Sequence, residues 1–169
     1  VVFGGSTSTY SGWPQNTLFL GNAGTTLTLG PNLTVRGQNG TVGYSSYFSG
    51  PQNVTVLNQG TISSDVSGGT LALNPQVLTS TGAFNGPVRI SGGTRMLGGT
   101  IVTLNGSALA PDSGATLGGV TVDTNSTLAV GATQNGVLVT VTNGLVLNGT
   151  LLVGNPTNNW YGVVSFAGS

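Results

Sequence analysis

Val141-Thr142-Asn143-Gly144-Leu145-Val146-Leu147-Asn148-Gly149-Thr150-Leu151-Leu152-Val153-Gly154 sets short apolar runs between Asn-Gly pairs. Successive side chains of a strand point to opposite faces, so Leu145 and Leu147 share one side and Val146 takes the other. Asn and Gly tolerate positive φ and let the chain turn within two residues. The stretch therefore reads as strand, corner, strand, corner. Moving outward, the same alternation recurs at Leu27-Thr28-Leu29, Leu33-Thr34-Val35, Val54-Thr55-Val56, Leu71-Ala72-Leu73, Val120-Thr121-Val122 and Val139-Thr140-Val141. Further corners fall at Asn39-Gly40, Asn85-Gly86, Asn105-Gly106 and Asn135-Gly136. No window carries an i, i+3, i+4, i+7 apolar stripe, so an all-β chain with almost no helix is expected.

Glycine leads many of these strands: Gly40-Thr41-Val42, Gly60-Thr61-Ile62, Gly69-Thr70-Leu71, Gly99-Thr100-Ile101, Gly119-Val120-Thr121 and Gly149-Thr150-Leu151. A beat near ten residues, with two or three beats to a coil, fits a β-solenoid whose coils bury their inward Val, Leu and Ile against one another. Coils of ~20–25 residues give about seven or eight, in one domain over residues 1–169. The alternative is a β-sandwich or jelly roll, whose strands also recur every ~8–12 residues. Within the solenoid reading, Leu71, Leu73, Ile101, Leu104, Val120, Val122, Leu145, Leu147 and Leu151 are expected inside. Gly43 to Pro51, with Tyr44, Tyr47 and Phe48, is expected to be a surface loop.

Composition narrows function. The charged residues are Arg36, Arg89 and Arg95 against Asp65, Asp112 and Asp123, for a net charge of zero, and there is no Lys, Glu, His or Cys. An ordinary globular domain is about one-quarter charged. Three arginines make no phosphate-binding stripe, which argues against nucleic acid. No apolar run approaches the ~20 residues of a membrane span. Hydrophobic content of 37 % and a mean hydropathy of +0.24 argue against disorder. Opening on Val1-Val2-Phe3, the chain reads as a fragment or processed form.

The run from Val141 to Gly154, with Leu27 to Gly37 and Asn53 to Ile62, resembles the coils of repetitive bacterial exoproteins. These are the autotransporter-passenger-like and filamentous-haemagglutinin-like β-helices. The resemblance implies a right-handed parallel β-helix, export to the cell surface, and an adhesive or scaffolding role without catalytic residues.

Site chemistry is sparse. Acid–base work on a polysaccharide needs paired carboxylates, and of the three aspartates only Asp112 and Asp123 are candidates to meet on neighbouring coils. Calcium takes about six to eight oxygens, whereas Asp112-Ser113-Gly114 and Asp123-Thr124-Asn125 offer one carboxylate each. A serine nucleophile has no His or Lys partner. No enzyme, cofactor or metal is expected. Thr7/Thr9, Thr26/Thr28 and Thr140/Thr142 are Thr-x-Thr pairs of the kind that order water on a flat face. The aromatics Tyr10, Trp13, Tyr44, Tyr47, Phe48, Trp160 and Tyr161 are candidates for stacking on sugar or anchoring a subunit contact. Asn-x-Ser/Thr sequons begin at Asn32, Asn39, Asn53, Asn105, Asn125 and Asn148.

The favoured expectation is a structural subunit of an extracellular filament or surface fibre. It would assemble head to tail through Val1, Val2, Phe3, Trp13, Trp160, Tyr161, Val163, Val164 and Phe166. The alternative is an adhesin module that binds surface carbohydrate. Lysine, proline or caps ordinarily protect strand edges, and this chain has no lysine at all.

Overall fold

The computed structural model describes residues 1–5, 16–45 and 47–168. None of the described residues is helical, and the strands they form all pair in parallel. The order begins β1 (Val2–Phe3), β2 (Thr17–Phe19), β3 (Thr26–Leu29), β4 (Thr34–Gly37), β5 (Asn39–Gly43), β6 (Thr55–Asn58), β7 (Thr61–Ser64) and β8 (Thr70–Asn74). It continues β9 (Val77–Ser80), β10 (Ala83–Asn85), β11 (Val88–Ile90), β12 (Arg95–Leu104), β13 (Leu109–Pro111) and β14 (Thr116–Val122). The last are β15 (Thr127–Val130), β16 (Val137–Leu147), β17 (Thr150–Val153) and β18 (Gly162–Phe166).

Every strand pairs with strands one circuit earlier or later and never with its neighbour in sequence. One sheet of seven runs β2-β5-β8-β11-β13-β15-β17, and the other eleven strands form a second. The larger sheet bends into two faces. β9 pairs with β12 at Arg95, Met96 and Gly99, whereas β10 pairs with it at Val102, Thr103 and Leu104. Gly98 and Gly99, at φ of 62° and 80°, make that bend. On the next rungs Gly119 at 63°, and then Asn143 at 54° with Gly144 at 82°, make it again. Three runs of parallel strands thus wrap one core. The fold is a parallel β-helix, and the sandwich alternative, with its antiparallel pairing, does not occur.

The core is a set of ladders. Leu27, Val56, Leu78, Met96, Leu117, Val141 and Phe166 stack in that order. On the seven-stranded sheet, Leu71, Val88, Leu109, Leu128 and Leu151 do the same. Each interior member is sealed by the rungs above and below. Leu71, Leu73, Ile101, Val120 and Val122 are fully buried, as expected from alternation.

Leu104 and Leu147 are not buried, and each corrects the expectation for a different reason. Leu104 is 39 % exposed because Thr103 takes the inward place. Thr103 donates its amide to Ser126 Oγ and accepts the Thr127 amide at its own Oγ1, both at 3.0 Å. Leu147 does face the core side, in register with buried Val122, but no described strand covers it, and it is 45 % exposed. Leu145 and Leu151, on the same last rung, are half-buried.

Glycine starts strands at two corners, not one. Gly60, Gly82 and Gly99 lead into the middle face, while Gly69 and Gly149 lead into the seven-stranded sheet. At both corners the backbones of successive circuits nearly touch. A Cβ on Gly82 would run into the Gly60 carbonyl oxygen, and one on Gly69 into that of Gln38. Circuit length also varies: Thr41 stacks on Ala72, 31 residues on, but Ala72 stacks on Arg89, 17 residues on. The extra length of the first is the loop that begins at Tyr44.

Candidate functional site

Two surfaces carry chemistry or contact potential, and each follows from the stacking. The first is a cleft of about 350 Å³ where the seven-stranded sheet turns into the face that begins with β3. Four successive circuits build it. The Tyr44 loop forms one wall, the short Pro75-Gln76 corner the floor, and Ser91-Gly92-Gly93 and then Asp112 the other wall. A long corner beside a two-residue one leaves a step in the stack, and the step is the cleft.

Its residues are held from behind. The Tyr44 amide donates to the Asn74 carbonyl (2.8 Å), and Asn74 Nδ2 donates to the Tyr44 carbonyl (3.1 Å), pinning the loop base to the next rung. Arg89 donates to Asp112 Oδ1 from Nε (2.9 Å) and Nη2 (2.6 Å). Both of these bonds go to Oδ1; among the described residues Oδ2 receives none. Gln52 and Gln76 are exposed at the rim. Further along the same loop, Phe48 packs on Phe19 with ring centroids 5.6 Å apart, and Tyr47 meets Phe48 edge-on at 5.0 Å. All three rings are exposed.

Burial pushes the Asp112 carboxyl above its ordinary value, against the pull of the Arg89 hydrogen bond and charge. A carboxyl whose pKa is raised on folding binds its proton more tightly in the native state. Its contribution to stability therefore grows as pH falls through that range and is lost as pH rises. Acid unfolding ordinarily comes from carboxylates that the native state keeps ionised. Here the other side-chain carboxylate in an ion pair, Asp65 with Arg36 Nε at 2.6 Å, is paired to a largely exposed arginine and is worth little. The thermal midpoint at pH 3 should equal or exceed that at pH 7. A steep loss of midpoint on acidification would contradict this reading of the charged groups.

The second surface is the last rung: β17, β18 and the β16 segment beyond Asn143. Its inward positions remain apolar yet uncovered, with Leu147 45 %, Val153 49 % and Phe166 65 % exposed. Trp160 (40 %) and Tyr161 (59 %) stand on the corner before β18. That corner is tied down by the Trp160 amide donating to Asn158 Oδ1 (2.9 Å) and the Tyr161 amide to Asn135 Oδ1 (3.1 Å). At the opposite end Val1 and Val2 are exposed, but Phe3 is 7 % exposed and packs over Gly40. Val163 is exposed and Val164 half-buried. Trp13, with Tyr10, Thr7 and Thr9, lies outside the described residues. Alternation had placed Leu145, Leu147 and Leu151 in the core and so concealed their part in this end surface.

The remaining candidates separate. Asp112 and Asp123 lie at different corners, one after the seven-stranded sheet and one before it, and are not brought together. Among the described residues no three acidic, His or Cys side chains converge. Thr26, Thr55, Thr116 and Thr140 do fall in one column on the face that begins with β3, but Val77 and Arg95 interrupt it. Asn32, Asn53, Asn105, Asn125 and Asn148 are exposed; Asn39 is half-buried, its Oδ1 accepting the Thr70 amide at 3.1 Å. No helix among the described residues is long and apolar enough to cross a membrane. No protein-family model matches the chain, and neither a curated protein nor a solved structure matches it.

Proposed function

We propose that this chain is a structural unit of a surface fibre, acting outside the cell and stacking head to tail on further β-helical rungs. The observation that carries the reading is the last rung, whose core-facing side chains stay apolar although none of the described residues covers them. Ladders that ended at a finished surface would change to polar residues there, as capping rungs do. Here Phe166 continues the Met96–Leu117–Val141 ladder and Val153 continues that of Val130.

The direction of stacking follows from the strands. All of them circulate one way about the axis, so parallel pairing extends across a junction only when the last rung meets the first rung of the next unit. The first rung offers three matching edges, β1, β2 and β3, each paired on one side alone among the described strands. Head-to-tail contact of this kind does not close on itself and yields an open polymer. Near absence of charge removes the repulsion that would oppose it.

The purified chain in dilute neutral buffer should appear as concentration-dependent multimers by sedimentation and as unbranched rods of variable length by electron microscopy. A monodisperse monomer at every concentration would overturn the proposal.

A further inference from the structure

We propose that the cleft between the Tyr44 loop and Asp112 is a binding subsite for a neutral saccharide. The inference is independent of end-to-end assembly, since the cleft lies on the side of the helix and not on its end rungs.

Five side chains carry it. Gln52, Gln76 and Ser91 are each both donor and acceptor, as a sugar hydroxyl is. Asp112 keeps Oδ2 clear of Arg89, and a carboxylate oxygen accepts from neighbouring hydroxyls. Tyr44 supplies a ring with an apolar face and a polar edge, the form that covers the C–H face of a pyranose. Gly93 adds room: a Cβ there would meet nothing within 4 Å. At about 350 Å³ the space sits at the small end of ligand sites and holds about one or two sugar rings.

The same chemistry rules out other occupants. A cation would find one carboxylate, already neutralised by Arg89. An anionic sugar would face the free Asp112 oxygen, with the guanidinium spent on Oδ1. A purely apolar ligand would leave the amides, the hydroxyl and the carboxylate unpaired, at a cost for each. The exposed rings of Tyr47 and Phe48 on the same loop, with Phe19 of β2 packed on Phe48, offer further ring faces to a chain extending beyond the cleft.

The test uses the whole chain and defined probes: gluco-, manno-, galacto- and N-acetylglucosamine-based neutral oligosaccharides, with oligogalacturonate and a sulfated oligosaccharide as anionic probes. Binding is read by saturation-transfer NMR and titration calorimetry. At least one neutral series should bind saturably, and the anionic probes should not. Gln76→Ala should weaken binding about three- to tenfold, and Tyr44→Ala by more, while Tyr44→Phe keeps most of it. Gln76 is exposed and makes no side-chain bond among the described residues, so its variant should unfold at the parent temperature. Thr121→Ala, on another face, should bind as the parent does. Failure of every neutral probe, preference for anionic ones, or unchanged binding in both Gln76→Ala and Tyr44→Ala would each overturn the proposal. Loss of polymer with saccharide binding intact would count against the fibre reading alone.

Discussion

A Leu117→Asp chain is expected not to fold. Leu117 is fully buried in the middle of the ladder, between Met96 on one rung and Val141 on the next. No cationic side chain shares that interior: Arg36 and Arg89 are held in ion pairs outside it, and Arg95 points outward. An unpaired buried carboxylate costs several kcal/mol, against a total stability of about 5–15 kcal/mol for a typical domain. Leu117→Ala removes packing without adding charge and should cost about 2–5 kcal/mol. The control is one residue away. Thr116 faces out in the Arg95–Thr116–Thr140 column, so Thr116→Asp sits beside Arg95, which makes no ion pair among the described residues, and should change stability by about half a kcal/mol or less. Circular dichroism and thermal unfolding of the three variants read the result. A cooperatively folded Leu117→Asp protein would mean that the inward and outward faces are exchanged.

That contrast marks what could be read from the residues. Alternation within a strand gave its two faces, and Asn-Gly pairs gave corners, because both are local properties of the backbone. Parity across a bend is not local. The Gly98-Gly99 bend lets Met96 and Ile101 both point inward although they differ in parity; beyond the bend, alternation from Ile101 puts Thr103 inside and Leu104 outside, against their hydropathy. The glycine-led repeats also mixed two corners. Gly60, Gly82 and Gly99 repeat once per circuit, while Gly69 and Gly149 belong to the next corner, so their sequence intervals could not give the circuit length. Polar residues inside are likewise invisible to hydropathy. Asn58 and Ser80 are fully buried and bonded to each other, Asn58 Nδ2 donating to Ser80 Oγ at 3.1 Å, while Asn58 Oδ1 finds no partner among the described residues.

The cleft shows the same limit at the level of a site. Tyr44 was legible as a loop aromatic and Asp112 as a lone carboxylate before Ser113-Gly114. Their meeting depends on one corner being long and the next only two residues, and on four circuits stacking in register. The end surface was partly legible. Val163 to Phe166 stood out as apolar near a terminus, but Leu147 looked like core. Leu147 and Val153 are core positions in register with buried Val122 and Val130, left as surface because none of the described strands lies over them.

That double character makes the last rung the place where a small change should have the largest effect on assembly. A Leu147→Arg, Val153→Arg chain should fold as the parent does, since both side chains are already about half exposed. Its junction would have to bury two unpaired guanidinium groups, each at several kcal/mol. At about 1.4 kcal/mol per factor of ten, association should weaken by roughly a thousandfold or more, leaving monomer where the parent forms rods. Leu27→Arg, at the half-buried inward position of the opposite end rung, in register with buried Val56, should do the same from the other side of the junction. Mixing distinguishes the geometry. In a head-to-tail polymer the doubly substituted chain still adds its intact first rung to a growing end and then blocks it. A small fraction should therefore shorten parent rods out of proportion to its amount. If units instead met last rung to last rung, the variant would never be incorporated and rod length would not respond. Leu27→Arg would then leave association untouched, and that pair of results would remove the head-to-tail arrangement.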